Sequence, residues 1–253
     1  ILLGNDGGLH QTYDDCETWL HLNNLPIGEF YAVGYDMDEP YNIYGGTQDN
    51  AALFGPSTHQ PRDGEKDAWT QVYIDRWGGG DSYFTCRDRE KKELIYYEHQ
   101  FGDLLRKDMS TGHAKRIRPK PPEGVERLRT NWMTPFLISH YDPATLFYAS
   151  RRVFKSVDRG DHWEVISPDL TSKPKRQGNV PFGTITSVSE STLARGLMYV
   201  GCDDGSLQRT DDGGESWSRI DKGLPGKWVS RVIASDHHED VAYVTMTAYR
   251  EDD

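Results

Sequence analysis

Thr12-Tyr13-Asp14-Asp15-Cys16-Glu17-Thr18-Trp19, Ser156-Val157-Asp158-Arg159-Gly160-Asp161-His162-Trp163 and Thr210-Asp211-Asp212-Gly213-Gly214-Glu215-Ser216-Trp217 are three copies of one phrase. Each copy has a hydroxyl residue, then an Asp two places on, then a Trp. The residue two places after the Asp is Gly160 or Gly214, and Cys16 in the first copy. A turn with an aromatic at a fixed distance, recurring along a chain, marks a repeated supersecondary unit. Trp163 and Trp217 lie 54 positions apart and Trp19 and Trp163 lie 144 apart, close to three such units. Two units without the full phrase therefore belong in the gap. One runs from Phe30 to Ile74 with Trp69 in the equivalent place. The other runs from Asp81 to Pro119 and keeps only Asp108 and Gly112.

Every unit has the same internal order. An alternating strand comes first, as in Tyr31–Tyr35, Tyr83–Cys86, Pro135–Ser139, Ile185–Val188 and Val229–Ile233. A polar turn follows, often with a breaker such as Glu39-Pro40 or Asp142-Pro143. A second, more continuously apolar strand comes next: Ile43–Gly46, Leu94–Tyr97, Thr145–Ala149, Leu197–Gly201 and Val241–Thr245. The third strand enters the Asp phrase and the fourth starts at its Trp. Four short antiparallel strands in a unit of this length predict an all-β chain, a β-propeller of four-stranded blades with about five repeats present. A β-solenoid fits less well, because solenoid repeats are normally shorter. The expected division is a partial blade at 1–27, blades at 28–77, 78–127, 128–180 and 181–226, and a partial blade at 227–253. This frame starts and stops mid-blade, so further blades or domains of a longer chain are expected as partners of this one.

Composition agrees with this reading. The chain is 36% hydrophobic and 11% aromatic, which suits many short strands with aromatics between sheets. A net charge of −11 opposes nucleic acid and anionic membranes as partners. No apolar run approaches the roughly 20 residues of a membrane-spanning helix. Cys16, Cys86 and Cys202 have neither metal-ligand nor disulfide-framework spacing and are expected to be buried free thiols. Asp14, Asp158 and Asp212 are read as turn clamps whose carboxylates accept backbone N–H groups. Trp19, Trp163 and Trp217 are read as wedges against a neighbouring blade.

The phrase resembles the Asp-box, or bacterial neuraminidase repeat, of sialidases and their relatives. Asn5-Asp6-Gly7-Gly8-Leu9, Tyr44-Gly45-Gly46-Thr47-Gln48-Asp49-Asn50, Gly78-Gly79-Gly80-Asp81 and Asp203-Asp204-Gly205-Ser206-Leu207 are most similar to the sortilin-type propeller family. That branch includes secreted bacterial proteins often labelled glycosyl hydrolases. The resemblance covers essentially the whole chain and implies a secreted or periplasmic location. It also implies a ligand site on the face opposite the Asp turns, for a protein, peptide or carbohydrate.

Two sets of loops build that face. Corners between second and third strands supply Asn5 and Asp6; Gln48, Asp49 and Asn50; His99 and Gln100; Arg151 and Arg152; Asp203 and Asp204; and Arg250. Links between blades supply Trp77 and Asp81, Asn131 and Trp132, Thr184, and Trp228 with Arg231 just beyond. Ordinary turn chemistry accounts equally for any single Asp or Asn at such a corner.

Hydrolysis of a glycoside needs two carboxylates, about 5 Å apart for retention or 6.5–9.5 Å for inversion. Asp49, Asp81 and Asp203 come from different blades and are the catalytic candidates. In the xyloglucanase branch a corner carries a catalytic Asp, and the same corner here reads Tyr97-Glu98-His99-Gln100. A sialidase would need an arginine cluster, for which Arg151, Arg231 and Arg250 are the candidates, and a Tyr nucleophile with a Glu, which no motif marks. His237-His238-Glu239-Asp240 reads as a solvated turn, so no metal and no cofactor is expected. Two functions stay open: a recognition scaffold and a glycoside hydrolase.

Overall fold

In the computed structural model, residues 1–5, 8–22, 28–60, 62, 64–73, 80–121, 123–124, 127–172 and 181–248 are described. Apart from one 3-10 turn at Gln100–Gly102, the regular elements are strands. The first blade comprises β4 (Phe30–Tyr35), β5 (Asn42–Thr47), β6 (Ala52–Pro56) and β7 (Thr70–Val72). The second comprises β8 (Ser82–Arg87), β9 (Leu94–His99), β10 (Asp103–Asp108) and β11 (Ala114–Arg116). The third comprises β12 (Phe136–Ile138), β13 (Leu146–Ala149), β14 (Val153–Ser156) and β15 (Glu164–Val165). The fourth comprises β16 (Ile185–Glu190), β17 (Met198–Cys202), β18 (Leu207–Thr210) and β19 (Ser218–Arg219). A three-stranded sheet of β1 (Leu2–Asn5), β2 (Gly8–Gln11) and β3 (Leu20–His21) precedes them, and a hairpin of β20 (Trp228–Ala234) and β21 (Ala242–Thr247) follows. Each sheet is an antiparallel meander in chain order. This is the β-propeller architecture expected from the repeats.

Successive side chains of a strand point to opposite faces of its sheet, and in the second to fourth blades both faces are covered by neighbouring sheets. In β9, Ile95 and Tyr97 join the core against the first blade, with Tyr44, Ala52, Val72 and Leu105. Tyr96 joins the core against the third blade, with Phe136, Tyr148 and Phe154. A third core, with Phe147, Met198 and Val200, fills the space between the third and fourth blades. Burial on both faces is why the second strands of these blades, β9, β13 and β17, read as apolar runs rather than alternations.

The three Asp phrases fold alike. Thr12, Ser156 and Thr210 donate their hydroxyls to Asp14, Asp158 and Asp212 at 2.8, 2.8 and 2.7 Å. The same carboxylates accept the backbone N–H of Thr18, His162 and Ser216 at 3.0, 2.9 and 2.9 Å. These hydrogen bonds hold the Asp14 carboxyl at about 2 and the other two still further below the usual carboxylate range. Trp163 donates its indole N–H to the Ile117 carbonyl of the second blade at 2.6 Å, and Trp217 to Ile166 of the third at 2.9 Å. Trp19 is 40% exposed.

Cys202 is buried and Cys86 half-buried, but Cys16 is exposed, contrary to the expectation of three buried thiols. The cause is its place in the turn: it has φ 75°, in the region that Gly160 and Gly214 occupy in the other copies.

Candidate functional site

An up-and-down meander sends its turns alternately to two faces. The turns between first and second strands share a face with the Asp phrases: Arg159 of the third blade's phrase bonds Asp88, in the first turn of the second blade, at 2.9 Å. The corners between second and third strands meet the inter-blade links on the opposite face. There, Ala51 N–H donates to Gly80, Phe101 to Trp132 and Asp203 to Thr184, all at 3.0 Å.

Asp81 forms the junction of the first and second blades. It is 5% exposed. Its Oδ1 accepts the N–H of Asp49 at 3.0 Å, and its Oδ2 accepts the hydroxyls of Tyr31 at 3.1 Å and Tyr83 at 3.2 Å. Burial, reinforced by the Asp81 carboxylate, pushes the Tyr31 phenol up to about 12. His99 Nδ1 lies 2.7 Å from the Asp81 carbonyl, which fixes that nitrogen as the donor. Burial also lowers the His99 pKa, so the ring stays neutral. Two blades approach closely here: a Cβ on Gly46 would stand 2.1 Å from the carbonyl carbon of Ser82. Gln48, Asp49 and Asn50 crown this junction and are exposed, with Asp49 at φ 57°. Tyr31 also reaches Gln48 Oε1 at 3.4 Å, and Asn50 Nδ2 bonds the Gln48 carbonyl at 3.0 Å.

Asp203 holds the junction of the third and fourth blades in the same manner. It is 3% exposed. Oδ1 accepts the N–H groups of Gly183 at 2.9 Å and Thr184 at 2.8 Å. Oδ2 accepts Thr184 Oγ1 at 2.6 Å and Asn131 Nδ2 at 3.2 Å. Burial nevertheless outweighs these bonds and pushes the carboxyl up to about 6. Asn131 also orders its neighbour, accepting the Trp132 N–H at 2.7 Å. The Trp132 ring stands edge-on to Phe101 at 5.0 Å.

Glu98 is fully buried between the second and third blades. One oxygen accepts the N–H of Thr134, the other has no partner among the described residues, and burial raises its pKa well above the usual value. His99 Nε2 is likewise buried and unpartnered.

The remaining candidates stand apart from these two junctions. Arg151 is 3.8 Å from Asp169, which also holds Arg129 at 3.6 Å. Arg231, on β20, lies over the Phe84 ring of β8 at 5.8 Å, so it crosses between the inner strands of different blades. Trp228 opens β20 and is half-buried. Arg250, Trp77 and Asp6 lie outside the described residues. The structure thus gathers Gln48, Asp49, Asn50, Asp81 and His99 at one junction, and Asn131, Trp132 and Asp203 at another. Sequence reading missed Tyr31 and Tyr83. Their signal was present: each is the second residue of its blade's innermost strand.

No family model matches the chain, and no curated protein sequence does. Solved structures of similar shape exist at low identity. A GH74 enzyme of Niastella koreensis aligns over 93% of this chain and 39% of its own, with 14% identity and a TM-score of 0.59. The GH74 xyloglucanase of Xanthomonas campestris aligns over 81% and 33%, with 12% identity and a TM-score of 0.53. YCF48 from Cyanidioschyzon merolae aligns over 88% and 65%, with 14% identity and a TM-score of 0.56. The chain therefore spans between a third and two-fifths of the length of the two GH74 enzymes. At such identities the likeness concerns fold alone, and it agrees with the blade geometry: this chain has a β-propeller fold.

Proposed function

We propose that this chain is a recognition scaffold of the Asp-box, sortilin-like type, exported from the cell, that binds a protein, peptide or glycan on its corner-and-link face. One observation carries the reading. The two best-placed carboxylates of that face, Asp81 and Asp203, are buried and have both oxygens hydrogen-bonded to the protein. They tie corners to links, and what they leave facing outward is an exposed amide and carboxylate group at Gln48, Asp49 and Asn50. The half-buried Trp132 adds an aromatic surface. Such groups suit orientation of a ligand by hydrogen bonds and stacking.

Glycoside hydrolysis is the second reading. It is favoured by the Asp203 carboxyl at about 6, a value suited to a general acid, and by the resemblance in shape to GH74 enzymes. A single pair of assays separates the two. The purified chain is screened for binding to polysaccharides and peptides, and for turnover of xyloglucan and aryl glycosides. Binding without turnover, weakened at least tenfold by Trp132→Ala or Asp49→Ala, is the expected result. Turnover that disappears in Asp81→Ala or Asp203→Ala while the melting curve keeps its cooperativity would overturn the scaffold reading.

A further inference from the structure

The face that carries the Asp phrases contains one niche whose usual occupant is missing. The residue after the phrase's Asp holds the same place in three blades. Met109, Arg159 and Gly213 donate their N–H to Glu93, Ala144 and Gly196 of their own blades at 2.8, 2.9 and 3.0 Å. From this place the first two side chains reach the preceding blade. Met109 packs on the core between the first and second blades. Arg159 pairs with the fully buried Asp88 and with Glu90. Gly213 has no side chain to send. Its φ of +76° is close to the 62° of Arg159, and a Cβ built on it meets nothing within 4 Å.

The facing blade has changed in step. Asp36, Asp88 and Ser139 occupy matching turn positions, each donating its N–H to the residue six places on. Tyr44 and Tyr96 donate their hydroxyls to Asp36 and Asp88. Where the turn residue is Ser139, the aromatic at the same offset is Phe147, which has no hydroxyl. A cavity of about 360 Å³, lined by Ser139, Phe147 and Gly213 among others, lies between the third and fourth blades where this Asp, Tyr and Arg are replaced. Ligand sites begin at about this size.

The polar lining is unbalanced. Its acceptors are occupied: Glu190 takes the Ser139 hydroxyl at 2.9 Å and the His140 N–H at 2.6 Å, and Asp142 takes Ala144 N–H and Thr145 Oγ1. Asp212 is clamped within its own turn. Three of its donors make no hydrogen bond to the protein. Among the described residues the Tyr141 hydroxyl is buried without a partner, the Lys155 ammonium makes no hydrogen bond or ion pair, and Arg195 lies over the Tyr141 ring at 5.7 Å and acts on the Asp142 carboxylate only at longer range. A buried hydroxyl without a partner is destabilising, and a ligand acceptor relieves that cost.

We propose that this niche binds a small organic carboxylate, held by Lys155, Arg195 and the Tyr141 hydroxyl. A monoanion is favoured over a dianion such as sulfate, because Asp142, Glu190 and Asp212 outnumber Lys155 and Arg195 in the lining and repel a second negative charge. The site is independent of the corner-and-link face.

Calorimetric titration of the whole chain at constant ionic strength tests it. The probes are glucuronate and butyrate, which carry the carboxylate on a sugar ring or an alkyl chain, with glucose and sulfate as controls. The expected result is saturable binding of one or both carboxylates, at least tenfold tighter than either control. The tighter of the two identifies the source. Lys155→Met should weaken binding at least tenfold and Tyr141→Phe several-fold. Gly213→Arg, which rebuilds the occupant of the previous niche, should abolish it. If Gly213→Arg does not fold, the first two variants decide. Absence of carboxylate binding, sulfate binding as tight, or unchanged affinity in Lys155→Met and Tyr141→Phe overturns the proposal.

Discussion

The indole of Trp217 donates to the main-chain carbonyl of Ile166 at 2.9 Å, joining the fourth blade to the outer edge of the third. Trp163 does the same to Ile117 one blade earlier. The outer strand of each donor blade therefore rests on its predecessor through one polar bond and one half-buried ring. Trp163→Phe keeps most of the apolar contact and loses the bond, so a loss of about 1 kcal/mol is expected. Trp163→Ala also opens a cavity and should cost about 3–5 kcal/mol. Urea unfolding of the two variants separates the contributions.

The Asp clamps set an acid limit on stability. Hydrogen bonds hold the folded carboxyl of Asp14 at about 2, and those of Asp158 and Asp212 lower still, against about 3.9 in an unfolded chain. A depressed folded pKa contributes stability that is complete above pH 4 and is lost as pH falls toward 2 and below. Asp212→Asn should flatten the fall of melting temperature below pH 4 and leave the slope above pH 5 unchanged. Melting curves across pH 2–7 give the comparison.

Asp203 has the opposite sign. Its folded carboxyl lies at about 6, above the unfolded value, so ionisation opposes folding. Its contribution is most favourable below pH 4 and diminishes as pH rises to about 6. Asp203→Ala removes that pH dependence, but it also leaves the Gly183 and Thr184 N–H groups without their acceptor. A net loss of about 2–4 kcal/mol at pH 5 is expected. The carboxyl carbon titration of Asp203, followed by NMR, checks the assignment directly.

Gly46 allows β5 to lie directly on the start of β8. A Cβ there would stand 2.1 and 2.2 Å from the main-chain carbon and oxygen of Ser82, atoms that cannot rotate away. Gly46→Ala should therefore force the first two blades apart, at a cost of about 3 kcal/mol. Gly112→Ala, with open space around its Cβ but φ +75°, should cost about 1 kcal/mol from backbone strain alone. Chemical denaturation of both variants tests the distinction.

The fold was legible because its determinants are local. Thr210, Asp212 and Ser216 form their clamp within seven consecutive residues, and runs such as Leu94–Tyr97 announce a strand buried on both faces. The candidate site was legible only as a roster. Asp81 and Asp203 stood out by residue type, but not their burial, because part of what bonds them comes from other blades or their links. Tyr31 reaches Asp81 from one blade away, and Asn131 reaches Asp203 across an inter-blade boundary.

From sequence alone came the repeat, the strand order within a blade, the turn chemistry and the division of loops between two faces. Each depends on backbone periodicity and on contacts a few residues apart. Tertiary structure alone decided that two of the three catalytic candidates are buried ties, that Cys16 is exposed, and that Gly213 lines a cavity at the place from which Arg159 pairs with Asp88 in the neighbouring blade. The physical reason is common to all of these. Burial and unpaired valence depend on what the next blade presents, and that is set by how the blades pack and not by neighbours along the chain.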